Sequence, residues 1–349
     1  MQIQNRDKIG AGVIGVGTYG EWHARVYAEF YSSDFIAIAD INEERAKKVA
    51  AKYKAKYYYK DYRALLDRSD IEVVSIALPD FLHREVCIYA ANAGKHVLVE
   101  KPLATNIEDA LDIAKVAKKS GVKFMVDFAN RWSPPFSYAK RAISEGKIGE
   151  VRYIYIHLNN SISVPTKMLR SWRGKSSVAW FLGSHCVDMC RWLIGSEVDT
   201  VSGISRSGVL TEIGVNTPDF YQYILEFKNG SIANIENCWI LPNASPTIFD
   251  FKAEIIGNKG KITISTAEHS VIKEYTETGG INYPDVLLFT EADGCLTGFG
   301  KDPIIHFIKS VIKNESVTAT IEDGIEATRV IVAVEQSARE DGKKIKIKR

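Results

Sequence analysis

Ile9-Gly10-Ala11-Gly12-Val13-Ile14-Gly15-Val16-Gly17-Thr18-Tyr19-Gly20 is a short apolar run that breaks into three glycines spaced G-x-G-x-x-G. The run reads as a buried strand and the glycines as the turn leading out of it. Gly15 permits the tight turn, Gly17 lets the backbone approach a pyrophosphate, and Gly20 lets the next helix pack closely on the strand. The amides of that helix, from Thr18 and Tyr19 onward, then face the phosphates. A glycine-rich turn without a ligand has the same spacing, so the context decides. Phe35-Ile36-Ala37-Ile38-Ala39-Asp40 is a second apolar run, and it closes on an acid about twenty residues beyond the last glycine, where a ribose-binding carboxylate belongs. Strand, glycines, helix and acid together predict a dinucleotide site.

Outward from this stretch, residues up to about Asp127 alternate short β-rich runs with helical ones. That is the pattern of an α/β fold, a parallel sheet doubly wound with helices. Strands are expected at Tyr57 to Tyr59, Ile71 to Leu78, His96 to Val99 and Val122 to Phe128. Helices are expected at Tyr19 to Tyr31, up to Tyr53, at Phe81 to Ala93, and from a capping box at Thr105-Asn106-Ile107-Glu108 to Ser120. The pattern then changes. A linking helix at about Pro135 to Glu145 leads to Val151 to Asn159, where Tyr153, Tyr155 and His157 alternate with Ile154, Ile156 and Leu158, which predicts a strand with two unlike faces. A helix at Val178 to Ile194 and further strands between Thr200 and Ser265 follow, a mostly antiparallel sheet, and two helices close the chain. The expected division is a dinucleotide-binding domain at 1–127 and an α+β domain at 128–349, the C-terminal helix packing back on the first.

At 349 residues the chain suits two domains. Lys plus Arg number 45 against 43 Asp plus Glu, so no basic face for nucleic acid is advertised. No apolar stretch approaches the roughly 18 residues of a membrane span, which predicts a soluble, cytoplasmic protein whose partners are small molecules and copies of itself. The five cysteines are scattered, as for reduced thiols. Cys186 and Cys190 lie beside His185 and Asp188, but the apolar remainder of that helix favours core thiols over a metal site.

Ligands of a doubly wound sheet bind beyond the carboxyl ends of its strands. Asp40, the Leu78-Pro79-Asp80 corner with His83, and Glu100-Lys101-Pro102 stand at such ends. A lysine before a proline is held in extended backbone, so its side chain can be aimed. His185 on a mainly apolar helix also fits a core histidine, and Asp188 three residues on is near enough to pair with it.

The run Gly12 to Ala24, the Leu-Pro-Asp-x-x-His corner, Gly94 to Ala104 with its Glu-Lys-Pro, and Gly183-x-His185-x-x-Asp188 resemble the glucose-fructose oxidoreductase and inositol dehydrogenase family, Gfo/Idh/MocA. The likeness includes Trp172-Arg173 and Glu322-Asp323-Gly324. It implies an N-terminal Rossmann domain, a C-terminal domain whose open sheet serves oligomerisation, and hydride transfer between a nicotinamide and a sugar or polyol carbon. On this resemblance Lys101 hydrogen-bonds the reacting hydroxyl and His185 carries the proton. Gly15, Gly17, Thr18, Tyr19, Gly20, Asp40, Pro79, His83, Glu100 and Lys101 hold the cofactor. Arg131, Tyr155, His157, Trp172, Arg173 and Asp188 border the substrate. Many members place an Asp four residues before the histidine, and here that residue is Phe181. The departure leaves three readings: a dehydrogenase, a glycosidase using NAD transiently, and a nicotinamide-sensing regulator. Lys101 and His185 favour the dehydrogenase. Asp40 favours NAD over NADP, and the two-faced strand favours a homodimer or homotetramer.

Overall fold

The computed structural model describes residues 8–169, 174–245, 247–266, 274–276, 280–282 and 287–349. Contacts divide the chain into two units, 1–129 with 287–325, and 130–286 with 326–349. The expected second domain was one segment, 128–349. Residues 287–325 instead group with the first unit.

In the first unit, strands β1 (Ile9–Ile14), β2 (Ser33–Ala39), β3 (Tyr57–Tyr59), β4 (Val73–Ile76), β5 (His96–Glu100) and β6 (Phe124–Asp127) alternate with helices α1 (Thr18–Glu29), α2 (Glu43–Tyr53), α3 (Tyr62–Leu66), α4 (His83–Asn92) and α5 (Ile107–Ser120). The strands form one parallel sheet in the order β3-β2-β1-β4-β5-β6. The order reverses beside β1, so the glycine turn stands at the topological switch point. Every residue of β1, β4 and β6 is buried, as continuously apolar runs covered on both faces require. Helix α5 starts one residue later than the expected box. Asn106 is extended, and its side chain, not that of Thr105, accepts the Asp109 amide at 2.8 Å.

In the second unit, α6 (Pro134–Ser144) and β7 (Val151–Asn160) precede a π-helical turn at Ala179–Gly183 that runs into α7 (Ser184–Ile194). Then come β8 (Val198–Arg206), α8 (Val209–Glu212), β9 (Phe220–Phe227), β10 (Ile232–Cys238), β11 (Phe249–Gly257) and β12 (Lys261–Ser265). The short strands β13 (Glu274–Thr276) and β14 (Gly280–Asn282) pair with each other. So do β15 (Thr290–Ala292) and β16 (Cys295–Thr297), which with α9 (Asp302–Ile312) belong to the first unit. Helix α10 (Ile321–Arg339) contains the last division point, and β17 (Ile345–Lys346) ends the chain. The large sheet runs β12-β11-β7-β10-β9-β8-β17, and β7 with β10 is its only parallel pair among the described residues.

The 287–301 stretch lies along α1. Phe289 stacks on Trp22 with centroids 4.6 Å apart, Arg25 pairs with Glu291 at 2.8 Å, and Glu29 accepts the Leu296 amide at 2.8 Å. These contacts join residues more than 260 apart, which no local pattern announces.

Candidate active site

The glycine turn is built as a phosphate-binding turn must be. Gly15 has φ +83°, a left-handed conformation in which a Cβ would meet the Ala77 carbonyl oxygen at 2.5 Å. A Cβ on Gly20 would stand 1.8 Å from the Gly15 oxygen, so only glycine lets α1 start this close to the turn. Gly17 differs: nothing lies within 4 Å of where its Cβ would be, and it caps α1 with no side chain. Open space and uncapped first-turn amides together fit a pyrophosphate.

Asp40, 5% exposed at the end of β2, is anchored on both oxygens. Oδ2 accepts the Val16 amide at 2.9 Å and Oδ1 the Asn42 amide at 2.8 Å. Arg45 adds a two-pronged contact, Nε to Oδ2 at 3.1 Å and Nη2 to Oδ1 at 2.8 Å. Tyr19 is exposed and meets Phe289 edge-on at 6.2 Å.

Two strand-end corners are tied together by His83. Its ring is wholly buried, with Nδ1 2.8 Å from the Pro102 carbonyl oxygen and Nε2 3.0 Å from that of Leu78. His83 thus ties the backbone of the Leu78-Pro79 corner to that of the Lys101-Pro102 corner. Lys101 follows directly on β5. Burial pulls its ammonium below the usual lysine range, against the opposing attraction of Glu100, Asp80 and Asp127.

His185 sits in the first turn of α7. From Val178 to Arg191, Phe181 and His185 alone keep partial exposure; the rest are buried. The helix is thus buried almost all round. The sheet brings it close through Gly183, where a Cβ would stand 2.8 Å from Tyr223 Oη and 3.0 Å from Asn237 Oδ1. Tyr223 donates to that same Asn237 oxygen at 2.7 Å, and Asn237 Nδ2 donates to the Leu158 carbonyl at 3.1 Å. Phe181 turns its ring to Trp239, 5.9 Å between centroids.

The sequence model of the oxidoreductase family with an NAD-binding Rossmann fold matches residues 9–128, and that of the family's C-terminal α/β domain matches 140–347. The chain belongs to the Gfo/Idh/MocA family. Gfo/Idh/MocA relatives similar to it include inositol 2-dehydrogenase 2 of Saccharopolyspora erythraea, 30% identical over 72% of each chain. Myo-inositol 2-dehydrogenase of Thermotoga maritima is 28% identical over 94% of this chain and 96% of its own. The crystal structure of scyllo-inositol dehydrogenase from Lactobacillus casei, with bound NAD(H) and scyllo-inositol, shares the fold with a TM-score of 0.83 at 20% identity, covering 97% of this chain and 99% of that one. This Gfo/Idh/MocA chain is accordingly an NAD-binding oxidoreductase.

The structure redistributes the residues expected to border the substrate in this family member. Asp188 is held by Arg131, with Nε to Oδ2 at 2.9 Å and Nη2 to Oδ1 at 2.6 Å, and the two side chains are 1% and 4% exposed. Asp188, expected to stand near enough to His185 to pair with it, is engaged by this buried ion pair, which joins the Ala129–Trp132 turn to α7. Tyr155 and His157 project from the opposite face of the sheet to α7. The face that α7 covers carries Ile154, Ile156 and Asn237, and alternation along β7 sends Tyr155 and His157 the other way. There His157 Nε2 lies 3.2 Å from Asp250. Trp172 and Arg173 lie outside the described residues. Cys186 and Cys190 are fully buried, and burial pushes the Cys186 thiol up to about 12, which keeps it protonated.

Sequence reasoning passed over His23 and Asp127. His23 Nε2 lies 3.1 Å from Glu100 Oε1 and 3.5 Å from Asp127 Oδ2, and all three are buried or nearly so. Asp127 closes β6 as Asp40 follows β2 and Glu100 closes β5, so the strand-end rule already pointed to it.

Proposed function

We propose that this chain is an NAD-dependent dehydrogenase acting on a secondary hydroxyl of a sugar or cyclic polyol, the chemistry named for its inositol dehydrogenase relatives. The observation that carries the reading is Lys101. It extends from a corner tied by His83 and follows Glu100, which His23 contacts, at the carboxyl edge of the sheet that holds the dinucleotide turn. In this assignment the Lys101 ammonium donates to the reacting oxygen and stabilises alkoxide character as the O–H proton leaves. His185 takes that proton. The bound nicotinamide supplies the hydride acceptor. Arg131 and Asp188 act as positioning residues, their pairing holding the start of the substrate domain against α7. A panel of inositols and sugars assayed for NADH formation, with aglycone release followed in parallel, tests the reading: hydride transfer without aglycone release supports a dehydrogenase, and the reverse a glycosidase.

For the cofactor we favour NAD, because Asp40 accepts from a ribose 2′-hydroxyl and repels a 2′-phosphate. Arg45 tempers this preference by sharing the carboxylate. Asp40→Ala should narrow the NAD/NADP affinity ratio and Arg45→Ala should widen it, as read by fluorescence titration. Equal affinity of the wild type for both cofactors would contradict the assignment.

For assembly we favour a homodimer or homotetramer built on the outer face of the large sheet. Tyr153, Ile204, Ile224 and Ile232 are all at least 36% exposed there, on four strands of one face.

A further inference from the structure

Helix α1 sends a chain of donors into the end of the parallel sheet. Tyr27 Oη lies 2.7 Å from Ser75 Oγ, and Ser75 Oγ lies 2.9 Å from His23 Nδ1. Tyr27 and Ser75 are fully buried and His23 is 1% exposed. Burial pushes the Tyr27 phenol up, so it stays a donor. If Tyr27 donates to Ser75 and Ser75 to Nδ1, His23 carries its proton on Nε2 and presents one N–H to two carboxyl groups, Glu100 and Asp127. These two are register partners on adjacent parallel strands. One N–H cannot compensate two buried carboxylates, and Asp127 Oδ1 is buried with no hydrogen-bond partner among the described residues.

We propose that Asp127 is a positioning residue that holds a proton at neutral pH, so that the His23–Glu100–Asp127 cluster beside Lys101 carries one negative charge and not two. Burial first, and the neighbouring Glu100 second, raise the Asp127 carboxyl well above the ordinary range, with Lys101 opposing. The charged and titratable groups that act on it among the described residues are His23 and Tyr27 from α1 and Glu100 and Lys101 from the end of β5, while Asp80 from the Leu78-Pro79 corner acts on Lys101. A single anion sustains the Lys101 ammonium against burial while holding it less tightly than two would. The catalytic meaning rests on the assignment of Lys101 above; the place of the proton does not.

Asp127→Asn mimics the neutral acid and Glu100→Gln removes the anion. With substrate, Asp127→Asn should keep kcat/KM within about threefold of wild type, less than the tenfold of one 1.36 kcal/mol step. Its alkaline limb should not move, whereas in Glu100→Gln that limb should move to lower pH. Without substrate, the infrared carbonyl band of a neutral carboxylic acid should be present in the wild type at pH 7 and missing in Asp127→Asn. A native carboxyl raised in this way binds extra protons when folded, so between its unfolded pKa near about 4 and its folded one the wild type loses stability as pH rises. Urea titrations should show that loss and show it abolished in Asp127→Asn. Absence of the wild-type band, or stability that rises with pH relative to Asp127→Asn, overturns the proposal whatever the fate of the dehydrogenase assignment. If Lys101→Ala is fully active while the band is present, the assignment of Lys101 fails and the proton stands.

Discussion

His185 is the side chain on which the acid–base assignment turns, and its surroundings differ from those the family resemblance implies. A carboxylate four residues earlier would favour the charged imidazole; Phe181, ring to ring with Trp239, offers none. His185→Ala should lower turnover by roughly 10²- to 10⁴-fold, the range for loss of general acid–base catalysis. Phe181→Asp should shift the kinetic ionisation to higher pH. Normal turnover in His185→Ala would make the histidine a packing residue. The buried Arg131–Asp188 pair makes a separate prediction. Arg131→Ala takes the two-pronged partner from a carboxylate that is 1% exposed, a change that costs about 3–5 kcal/mol in pairs of this kind, measured by urea unfolding. Exchanging both partners for apolar residues of similar volume should cost much less.

Among elements, α7 and the π turn before it carry the largest departure from expectation. A run of eleven α-helical residues was legible in the spacing of its apolar side chains, but a π turn has no such signature, and burial on almost all sides hides the face that matters. Gly183 is where helix and sheet meet. Gly183→Ala should push α7 away from Tyr223 and Asn237 and cost about 1–3 kcal/mol, the range for overpacked sites, with kcat falling along with Tm. A variant with unchanged Tm and rate would show that the approach is not tight. The parallel strands were legible because covering on both faces demands continuous apolar runs. The start of α5 was legible to within a residue, as Asn106 taking the place of Thr105 shows. Strand β7 teaches a different lesson: its alternation was legible, but which of its faces α7 covers was not. Helix α7, which carries His185, packs on the apolar face, so Tyr155 and His157 point away from it.

For the molecule as a whole, the dinucleotide half was legible from the glycines, Asp40 and the strand ends, since these are local chemical demands. The grouping of residues 287–325 with the first unit was not, because Phe289 on Trp22 and Glu291 on Arg25 are partners only in space. The exposed apolar residues on four neighbouring strands of the large sheet predict that light scattering at micromolar concentration will find a dimer or tetramer. Glu substitution at Ile224 and Ile232 together should dissociate it, and a monodisperse wild-type monomer would contradict the assignment. Among the described residues no helix is long and apolar enough to cross a membrane. The claim on which the rest depends is hydride transfer from a hydroxyl-bearing carbon with Lys101 and His185 at work. Its most direct measurement is the initial rate of NADH formation from a panel of inositols and sugars by wild type, Lys101→Ala and His185→Ala. The account predicts turnover of at least one cyclic polyol or sugar by the wild type, with both variants slower by about 10²-fold or more although NAD still binds; wild-type rates in both variants would contradict it.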